Sequence, residues 1–301
     1  MSAVLGLGTY RVRDVGEAAR AACAAGATWV DTAPNYADGL AHAALKPVLA
    51  DHPGVKVATK TGFFDAEQGR AAVAAGVLTP EQAETGHCLD PAFVGWQVEQ
   101  SVAELGRHPD IVFVHNPERA ALYEAHVHAQ LRAAFMVLEE LVEDCTIGGY
   151  GVATWSGMRS GLLDERVLDR LAREAAGGGE RHYLVAVQQP VSLVEDASIR
   201  QALQGHGPVV NCRGARMQTF ASAPLDGGRL LDLMSPELAD FIRPGASVAA
   251  ASLLVTASTP GLDVVLVSAS TPSHWAEAAE ALADPLDPAH LQEVIDVCAG
   301  R

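Results

Sequence analysis

The sequence predicts an α/β protein folded as a (β/α)8 TIM barrel with long loops at its C-terminal face. Eight short apolar runs alternate with helical patterns from one end of the chain to the other. The runs are mostly apolar throughout, as in parallel strands buried on both faces. An open doubly wound sheet is the alternative, but no G-x-G-x-x-G sequence follows the first strand, which weakens it.

The strands are predicted where β-type apolar runs stand between polar breaks. They are Val4–Gly8, Trp29–Thr32, Lys56–Lys60, Ile111–His115, Gly149–Thr154, Leu184–Gln189, Val209–Cys212 and Val264–Val267. A length of 301 residues allows one large domain or two small ones. No linker, repeat or low-complexity tract divides the chain, so we predict a single barrel domain over residues 1–301.

Helix starts between these strands carry N-cap signals. Asp14-Val-Gly-Glu17 resembles a capping box, and the pairs Asp90-Pro91, Thr271-Pro272 and Asp287-Pro288 each place a proline at the first helical position. Apolar residues then follow at helical spacing, as in Val94, Val98, Val102 and Leu105. These patterns predict helices packed around the barrel.

Two connections are longer than a barrel requires. Gly62 to Leu89 separates the third strand from its helix, and Ala221 to Ser247 follows the seventh strand. Both belong to the C-terminal face, where barrel enzymes build their active sites. Long loops in this position are typically lids or pocket walls.

Charge and composition exclude several classes of partner. The net charge of −16 makes nucleic acid and anionic membranes poor partners. No apolar run approaches the length of a membrane span, and no basic region precedes Val4, so we expect a cytoplasmic protein. Five scattered cysteines without a C-x-x-C pair are interpreted as buried small hydrophobes: Cys23, Cys88, Cys145, Cys212 and Cys298. His126 and His128 do not share a helix face, so no metal site is predicted.

Four chemically distinct side chains stand at or just after three predicted strand ends. They are Asp31, Tyr36, Lys60 and His115. A lysine at a barrel mouth needs a carboxylate partner, and Asp31 is the nearest candidate. Such a lysine would lower the pKa of a neighbouring tyrosine from about 10, and the tyrosine could then protonate an alkoxide while the imidazole orients the carbonyl oxygen. Each residue alone is compatible with a purely structural role, but the combination indicates carbonyl chemistry.

Longer motifs around these residues occur in a fixed order. They are Gly6-Leu-Gly-Thr-Tyr10, Asp31-Thr-Ala-Pro-Asn-Tyr36, Thr59-Lys60, Val98-Glu-Gln-Ser101, Asp110-Ile-Val-Phe-Val-His115, Gly151-Val-Ala-Thr-Trp155 and Ala223-Pro-Leu225. Through them the chain resembles the aldo-keto reductase superfamily over nearly its whole length. The resemblance implies a barrel, a nicotinamide cofactor, usually NADPH, and carbonyl reduction with Tyr36 as the acid. It places the family's catalytic tetrad on Asp31, Tyr36, Lys60 and His115.

The resemblance also implies a set of cofactor-binding positions. They are Gly8, Thr9, Tyr10, Asp31, Thr154, Gln188, Ser222, Pro224, Leu225, Ser268, Ser270 and His274. Gln188 matches the family pattern. Ala153-Thr154 stands where the family usually has Ser-Asn, and Ser222 stands where an aromatic residue usually stacks on the nicotinamide, with Phe220 nearby.

The 2′-phosphate end of the cofactor site departs further from the family. The usual Gly-x-Arg or Gly-x-Lys element after the eighth strand is missing, although the helix start at Thr271-Pro272 can still receive a phosphate. The only cation in this stretch is a protonated His274. We therefore ask whether an arginine elsewhere in the chain reaches the phosphate, and the candidates are Arg213, Arg216, Arg229 and Arg243.

These observations leave three functional hypotheses. The first is an NAD(P)H-dependent oxidoreductase that reduces a carbonyl or related C=X group of a small molecule, with NADPH expected and NADH possible. The second is a lyase, dehydratase or isomerase that uses the same four residues for proton transfer. The third is a non-catalytic nucleotide-sensing subunit. The oligomeric state is not predicted. For His87, Asn116 and Trp155 the sequence does not decide between a role in lining the pocket and a structural or solvent-exposed position.

Overall fold

The protein is a closed barrel of eight parallel strands in sequence order. The computed structural model describes residues 3–120 and 123–300. The strands are β1 Val4–Gly8, β2 Trp29–Asp31, β3 Lys56–Thr61, β4 Ile111–His115, β5 Tyr150–Ala153, β6 Leu184–Pro190, β7 Gln218–Ser222 and β8 Val264–Val267. The barrel predicted from the sequence is confirmed.

Fifteen α-helices of the described residues surround or cap the barrel. They are α1 Val15–Ala24, α2 Ala41–Asp51, α3 Ala66–Ala74, α4 Pro80–Ala83, α5 Pro91–Leu105, α6 Glu124–Glu143, α7 Gly157–Ser160, α8 Glu165–Ala175, α9 Ala197–Leu203, α10 Pro208–Gly214, α11 Leu230–Leu233, α12 Pro236–Ile242, α13 Val248–Ala257, α14 Pro272–Ala283 and α15 Pro288–Cys298. Two short 3-10 turns, Pro117–Arg119 and Asp226–Gly228, follow β4 and β7.

The predicted N-caps are present at four helix starts. The side chains of Asp14, Asp90, Thr271 and Asp287 each accept a hydrogen bond from a backbone N–H in the first turn of their helix. Each cap satisfies a donor that the helix itself leaves unpaired. The local signals in the sequence therefore set where these helices begin.

The seventh strand is a correction. The run Val209–Cys212 was predicted as strand, but it lies within helix α10, and the strand is Gln218–Ser222. Two adjacent valines resemble a strand, and a short apolar run cannot be told from a buried helical segment by periodicity alone. The contrary signal was Pro208, which occupies the first turn of α10.

Aromatic side chains fill the barrel interior below the C-terminal face. Trp29 and Phe220 meet edge to face with ring centroids 5.1 Å apart, and Phe113 meets Phe220 at 5.4 Å. Val264 and Leu266 join the same buried cluster. This packed interior closes the barrel axis, so polar groups at the strand ends stand on a rigid apolar floor.

Two minor expectations have mixed outcomes. Cys23 and Cys212 are buried as predicted, but Cys88 in the loop after β3 is only half-buried. Cys145 and Cys298 are exposed, because they lie in or beside turns at helix ends. No helix in the described part of the chain is both long and apolar enough to span a membrane.

Candidate active site

A buried ion pair forms the centre of the C-terminal face. Asp31 ends β2 and Lys60 lies near the end of β3, and the Lys60 Nζ donates to Asp31 Oδ2 at 2.6 Å. The same ammonium donates to the carbonyl oxygen of Thr32 at 2.9 Å. Lys60 is 2% exposed and Asp31 is 4% exposed. A charge this deeply buried is tolerated only with such partners.

Gln188 ties the far side of the barrel to this pair. It lies in β6, and its Nε2 donates to Asp31 Oδ1 at 2.9 Å. Both oxygens of Asp31 therefore accept a hydrogen bond, one from β3 and one from β6. This arrangement fixes the carboxylate and, through it, the direction of the Lys60 side chain.

Tyr36 stands above the ammonium on the loop after β2. Its ring centroid lies 4.9 Å from Lys60 Nζ, and the ring of Tyr10 packs on its other side at 5.2 Å. A turn closed by the bond from Tyr36 N to Ala33 O sets the position of the loop. The half-buried phenol thus faces a cation below and an exposed aromatic residue beside it.

The pKa shifts of this pair correct one expectation. Burial raises the pKa of Tyr36 above its ordinary value, and the opposing effect of Lys60 is smaller. We predicted a lowered pKa because the lysine was weighed without the burial. Burial alone would lower the pKa of Lys60, but Asp31 and Tyr36 raise it more, so the net direction is upward. At neutral pH the phenol is therefore protonated and the lysine is charged.

His115 ends β4 beside Tyr36, with the two rings edge to face at 6.2 Å. Burial lowers the pKa of His115 well below its ordinary value, and the charge of Lys60 lowers it further. The imidazole is therefore neutral. Its Nδ1 is buried and has no hydrogen-bond partner in residues 3–120 and 123–300.

The long loop after β3 packs against this imidazole. The Phe63 ring lies 4.8 Å from His115, and Phe63 and His87 form an isolated β-bridge with rings 4.6 Å apart. His87 Nε2 donates to the carbonyl oxygen of His115 at 2.8 Å. Gly62 permits this contact, because a Cβ there would lie 3.1 Å from His87 Nε2 and its φ of +125° disfavours other residues. The loop is thus a pocket wall, and His87 belongs to it.

A second cleft lies behind this wall. It has a volume of about 560 Å³ and is lined by helices α3 and α4. Phe64 faces it and packs on Phe93 at 5.0 Å, whereas its neighbour Phe63 faces His115. Successive side chains of an extended segment point to opposite sides, so this cleft is separate from the four polar residues.

Glu118 organises the loop after β5. Its carboxylate accepts hydrogen bonds of 2.9 Å from the Thr154 hydroxyl and from the backbone N–H groups of Trp155 and Ser156. The Thr154 oxygen also accepts from the Gly157 N–H at 2.8 Å. The hydroxyl predicted to contact a cofactor is therefore already satisfied on both sides by the protein itself. Trp155 projects outward and is 51% exposed.

The remaining predicted cofactor positions surround the β1, β7 and β8 ends. Gly8 ends β1, the Thr9 hydroxyl donates to the carbonyl oxygen of Asp31 at 3.0 Å, and the Ser268 hydroxyl donates to the carbonyl oxygen of Tyr10 at 2.8 Å. These contacts join the loops after β1, β2 and β8. Among the other predicted positions, Ser222, Leu225 and Ser270 are half-buried and Pro224 is buried. His274 is exposed in the first turn of α14.

A sequence model described as the Aldo/keto reductase family matches residues 4–165. This match spans more than half of the chain and includes all four polar residues of the mouth. The chain belongs to the aldo/keto reductase family. No curated protein matches it.

Solved structures share the barrel at low sequence identity. An aldo-keto reductase from Klebsiella pneumoniae in complex with NADPH is 21% identical, with a TM-score of 0.67 over 98% of this chain and 90% of that chain. A glycerol dehydrogenase from Gluconobacter oxydans is 19% identical, with a TM-score of 0.71 over 98% of this chain and 91% of that chain. At these identities the likeness establishes the common fold.

Three of the four arginines considered for a 2′-phosphate in this aldo/keto reductase are in ion pairs. Arg213 pairs with Asp263 at 3.7 Å and Arg243 pairs with Asp284 at 3.2 Å. Asp263 directly precedes β8 and Asp284 directly follows α14, so both pairs lie away from the C-terminal strand ends. Arg216 precedes β7 and is on the same side. Arg229 follows β7 on the correct face and pairs with Asp226 at 3.1 Å.

Sequence reasoning missed two groups at the mouth. Glu118 and Arg119 lie in the 3-10 turn after β4 and appeared as ordinary turn residues. Nothing in the sequence connects Glu118 with Thr154, because that contact depends on the approach of two loops in space. Arg119 lies over the Phe63 ring at 5.5 Å, and its place also depends on the fold.

Proposed function

We propose that this protein is an NAD(P)H-dependent oxidoreductase that reduces a carbonyl or related C=X group of a small molecule. The observation that carries the proposal is the buried chain of contacts from Asp31 through Lys60 to Tyr36, beside a neutral His115. Membership of the aldo/keto reductase family supports an oxidoreductase. Tyr36 is proposed as the general acid, with Lys60, Asp31 and His115 as its assistants.

The protonation states suit a reduction. Because burial raises the pKa of Tyr36, the phenol keeps its proton until a stronger base forms beside it. An alkoxide that develops at the substrate carbon is such a base. As the proton leaves, the Lys60 ammonium stabilises the phenolate, and Asp31 holds the ammonium in place. The proton therefore moves only when negative charge appears on the substrate oxygen.

His115 is proposed to orient the carbonyl oxygen. A neutral imidazole donates one N–H and does not compete with Tyr36 as a proton source. The low pKa of His115 keeps it neutral through the physiological range. Its position edge to face with Tyr36 lets both donors converge on one oxygen.

The residues of the β6 to β8 ends fit the nicotinamide and pyrophosphate parts of a dinucleotide. Gln188 and Ser222 offer polar groups near the tetrad, and the N-terminus of α14, beside Ser270, offers backbone N–H groups to a phosphate. The complex of the Klebsiella pneumoniae protein with NADPH supports NADPH as the cofactor. When bound, the reduced nicotinamide supplies the hydride.

The deciding experiment combines nucleotide binding with one substitution. We expect NADPH to quench tryptophan fluorescence at micromolar concentration and to support reduction of small aldehydes. Tyr36→Phe should lower kcat by about 10²- to 10⁴-fold and leave nucleotide binding unchanged, because the phenol hydroxyl is needed only for the proton. Tyr183→Phe is the matched control, since Tyr183 is exposed and directly precedes β6 at the opposite face.

Two results would contradict the proposal. If Tyr36→Phe turns over within about threefold of wild type, Tyr36 is not the general acid. Silence with both NADPH and NADH would favour the non-redox proton-transfer enzyme, for which the occupied Thr154 hydroxyl is the supporting observation.

A further inference from the structure

The mouth of the barrel holds an arginine, Arg119, that forms no ion pair with any carboxylate in the described part of the chain. Arg119 ends the 3-10 turn after β4 and is exposed. Across residues 3–120 and 123–300, no carboxylate oxygen lies within 4.0 Å of its guanidinium nitrogens. Lys60, the buried cation of the site, is already paired with Asp31. Arg11 is a further cation at the mouth, but its guanidinium lies over Tyr10, at 5.2 Å from the ring centroid, and thus on the β1 side of Tyr36.

The acid next to Arg119 in the chain is committed elsewhere. Glu118 accepts hydrogen bonds from the Thr154 hydroxyl and from the backbone N–H groups of Trp155 and Ser156. A carboxylate that accepts several hydrogen bonds is held firmly in one direction. The carboxylate of Glu118 therefore points into the β5 loop and not toward Arg119. The positive charge of Arg119 remains available to a ligand in the pocket.

Phe63 connects this charge to the reacting groups. The guanidinium carbon of Arg119 lies 5.5 Å from the Phe63 ring centroid, which is a cation–π distance. The same ring lies 4.8 Å from His115 and 4.6 Å from His87. One aromatic ring thus contacts both the cation and the imidazole that is proposed to hold the carbonyl oxygen.

The groups nearest to Arg119 add no competing positive charge. Burial lowers the pKa of His87, and the charge of Arg119 lowers it further. Burial likewise lowers the pKa of His115. Both imidazoles are neutral near pH 7, so the guanidinium is the cation that a ligand meets on this side of the tetrad.

We propose that Arg119 binds an anionic group on the substrate, and that Phe63 packs against the apolar part between this group and the carbonyl. This inference rests on the proposed function and names the substrate class: small carbonyl compounds that carry a carboxylate or a phosphate. A planar guanidinium recognises either anion with paired hydrogen bonds. Because Arg119 and His115 both contact the Phe63 ring, a small substrate can reach the anion site and the tetrad at the same time.

The test compares matched benzaldehydes. 4-Formylbenzoate carries the anion, methyl 4-formylbenzoate is its neutral counterpart, and 4-formylphenyl phosphate separates phosphate from carboxylate recognition. We expect wild type to prefer at least one anion over the neutral ester in kcat/KM. Arg119→Gln should lower that preference by about 10- to 100-fold, mainly through KM, because a charge-assisted hydrogen bond is lost.

Two further variants control the result. Arg119→Lys keeps the positive charge but loses the planar guanidinium that can form paired hydrogen bonds. This variant should retain part of the preference for anionic substrates. Arg166→Gln removes an equal charge from the 90% exposed Arg166 in α8 and should leave the preference unchanged. The preference should also fall as salt concentration rises, as expected for a charge interaction near solvent.

A binding measurement keeps this inference separate from the proposed function. Quenching of tryptophan fluorescence by 4-formylbenzoate, without nucleotide, should weaken about tenfold in Arg119→Gln. This result supports the anion site even where Tyr36→Phe turns over like wild type, in which case the proposed function alone fails. Equal binding of both anions and the ester by wild type would overturn the inference, as would an unchanged preference in Arg119→Gln.

Discussion

The two halves of the barrel treat their polar groups in opposite ways. In β1 to β4, Asp31, Lys60 and His115 are held by one another, by a backbone carbonyl, by the β3 loop and by Gln188 from β6. In β5 to β8, Thr154 is bonded to Glu118 from the turn after β4 and to Gly157 in its own loop, and His274 is exposed. The match to the family model ends at residue 165, so it includes the first half and β5 but not β6 to β8.

The difference shows which residues the fold itself constrains. A buried ammonium cannot lose its carboxylate without a large cost in stability, so Asp31 and Lys60 depend on each other whatever the substrate is. The exposed side chains of Ser268 and of His274, at a helix start, carry no such cost. We therefore expect substitutions at Ser268 and His274 to leave the stability of the barrel nearly unchanged.

The largest effect is expected from Lys60→Met. The substitution leaves Asp31 buried without a cation, which should lower the free energy of unfolding by about 3 to 5 kcal/mol. It should also lower kcat by about 10²- to 10⁴-fold, because Tyr36 loses the charge that stabilises its phenolate. Chemical denaturation and steady-state turnover measure the two effects.

Two variants separate stability from chemistry. Lys56→Met alters the exposed lysine at the other end of β3 and should change neither quantity strongly. The double variant Asp31→Asn/Lys60→Met removes both charges, so stability should recover while turnover stays low. Full activity in Lys60→Met would contradict the role given to the first half of the barrel.

A smaller effect, on the loop after β5, is expected from Glu118→Ala in the turn after β4. The variant removes the acceptor of the Thr154, Trp155 and Ser156 donors and frees the Thr154 hydroxyl. The loss of charge-assisted hydrogen bonds should loosen the β5 loop and raise KM for NADPH by about tenfold, with a smaller change in kcat. Steady-state kinetics at varied NADPH measures the shift.

Glu174→Gln is the control for this loop. Glu174 forms a solvent-exposed pair with Arg170 on α8, and such pairs contribute little, so KM for NADPH should not change. If Glu118→Ala binds NADPH like wild type, the order of the β5 loop is irrelevant to the cofactor.

The sequence predicts the features that depend on local patterns and misses those that depend on the folded chain. Seven of the eight strands and the positions of Asp31, Tyr36, Lys60 and His115 follow from short-range patterns and motifs. The β7 strand was missed because the pair Val209-Val210 outweighed the signal of Pro208. The direction of the Tyr36 pKa shift was missed because burial, the larger effect, is a property of the folded loop.

Contacts between loops are the part that no local pattern contains. The bond from His87 to the His115 carbonyl joins two loops whose residues are 28 positions apart. The contact of Glu118 with Thr154 spans 36 positions and has no periodic or compositional signal. Such pairs depend on where two strands end in the closed barrel, which only the assembled structure determines.

The smallest effect is expected where the second half lacks a cation. His274→Arg adds a positive charge in the first turn of α14, beside the position proposed for a phosphate. If a 2′-phosphate lies there, KM for NADPH should fall by about three- to tenfold while KM for NADH stays constant, because only NADPH carries that group. Ala279→Arg places the same charge on an exposed position of α14 about one and a half turns further on and should change neither value. An equal fall in KM for both nucleotides would show that the added charge acts through the whole acidic surface. If neither KM changes, the adenine end of the cofactor does not lie beside α14.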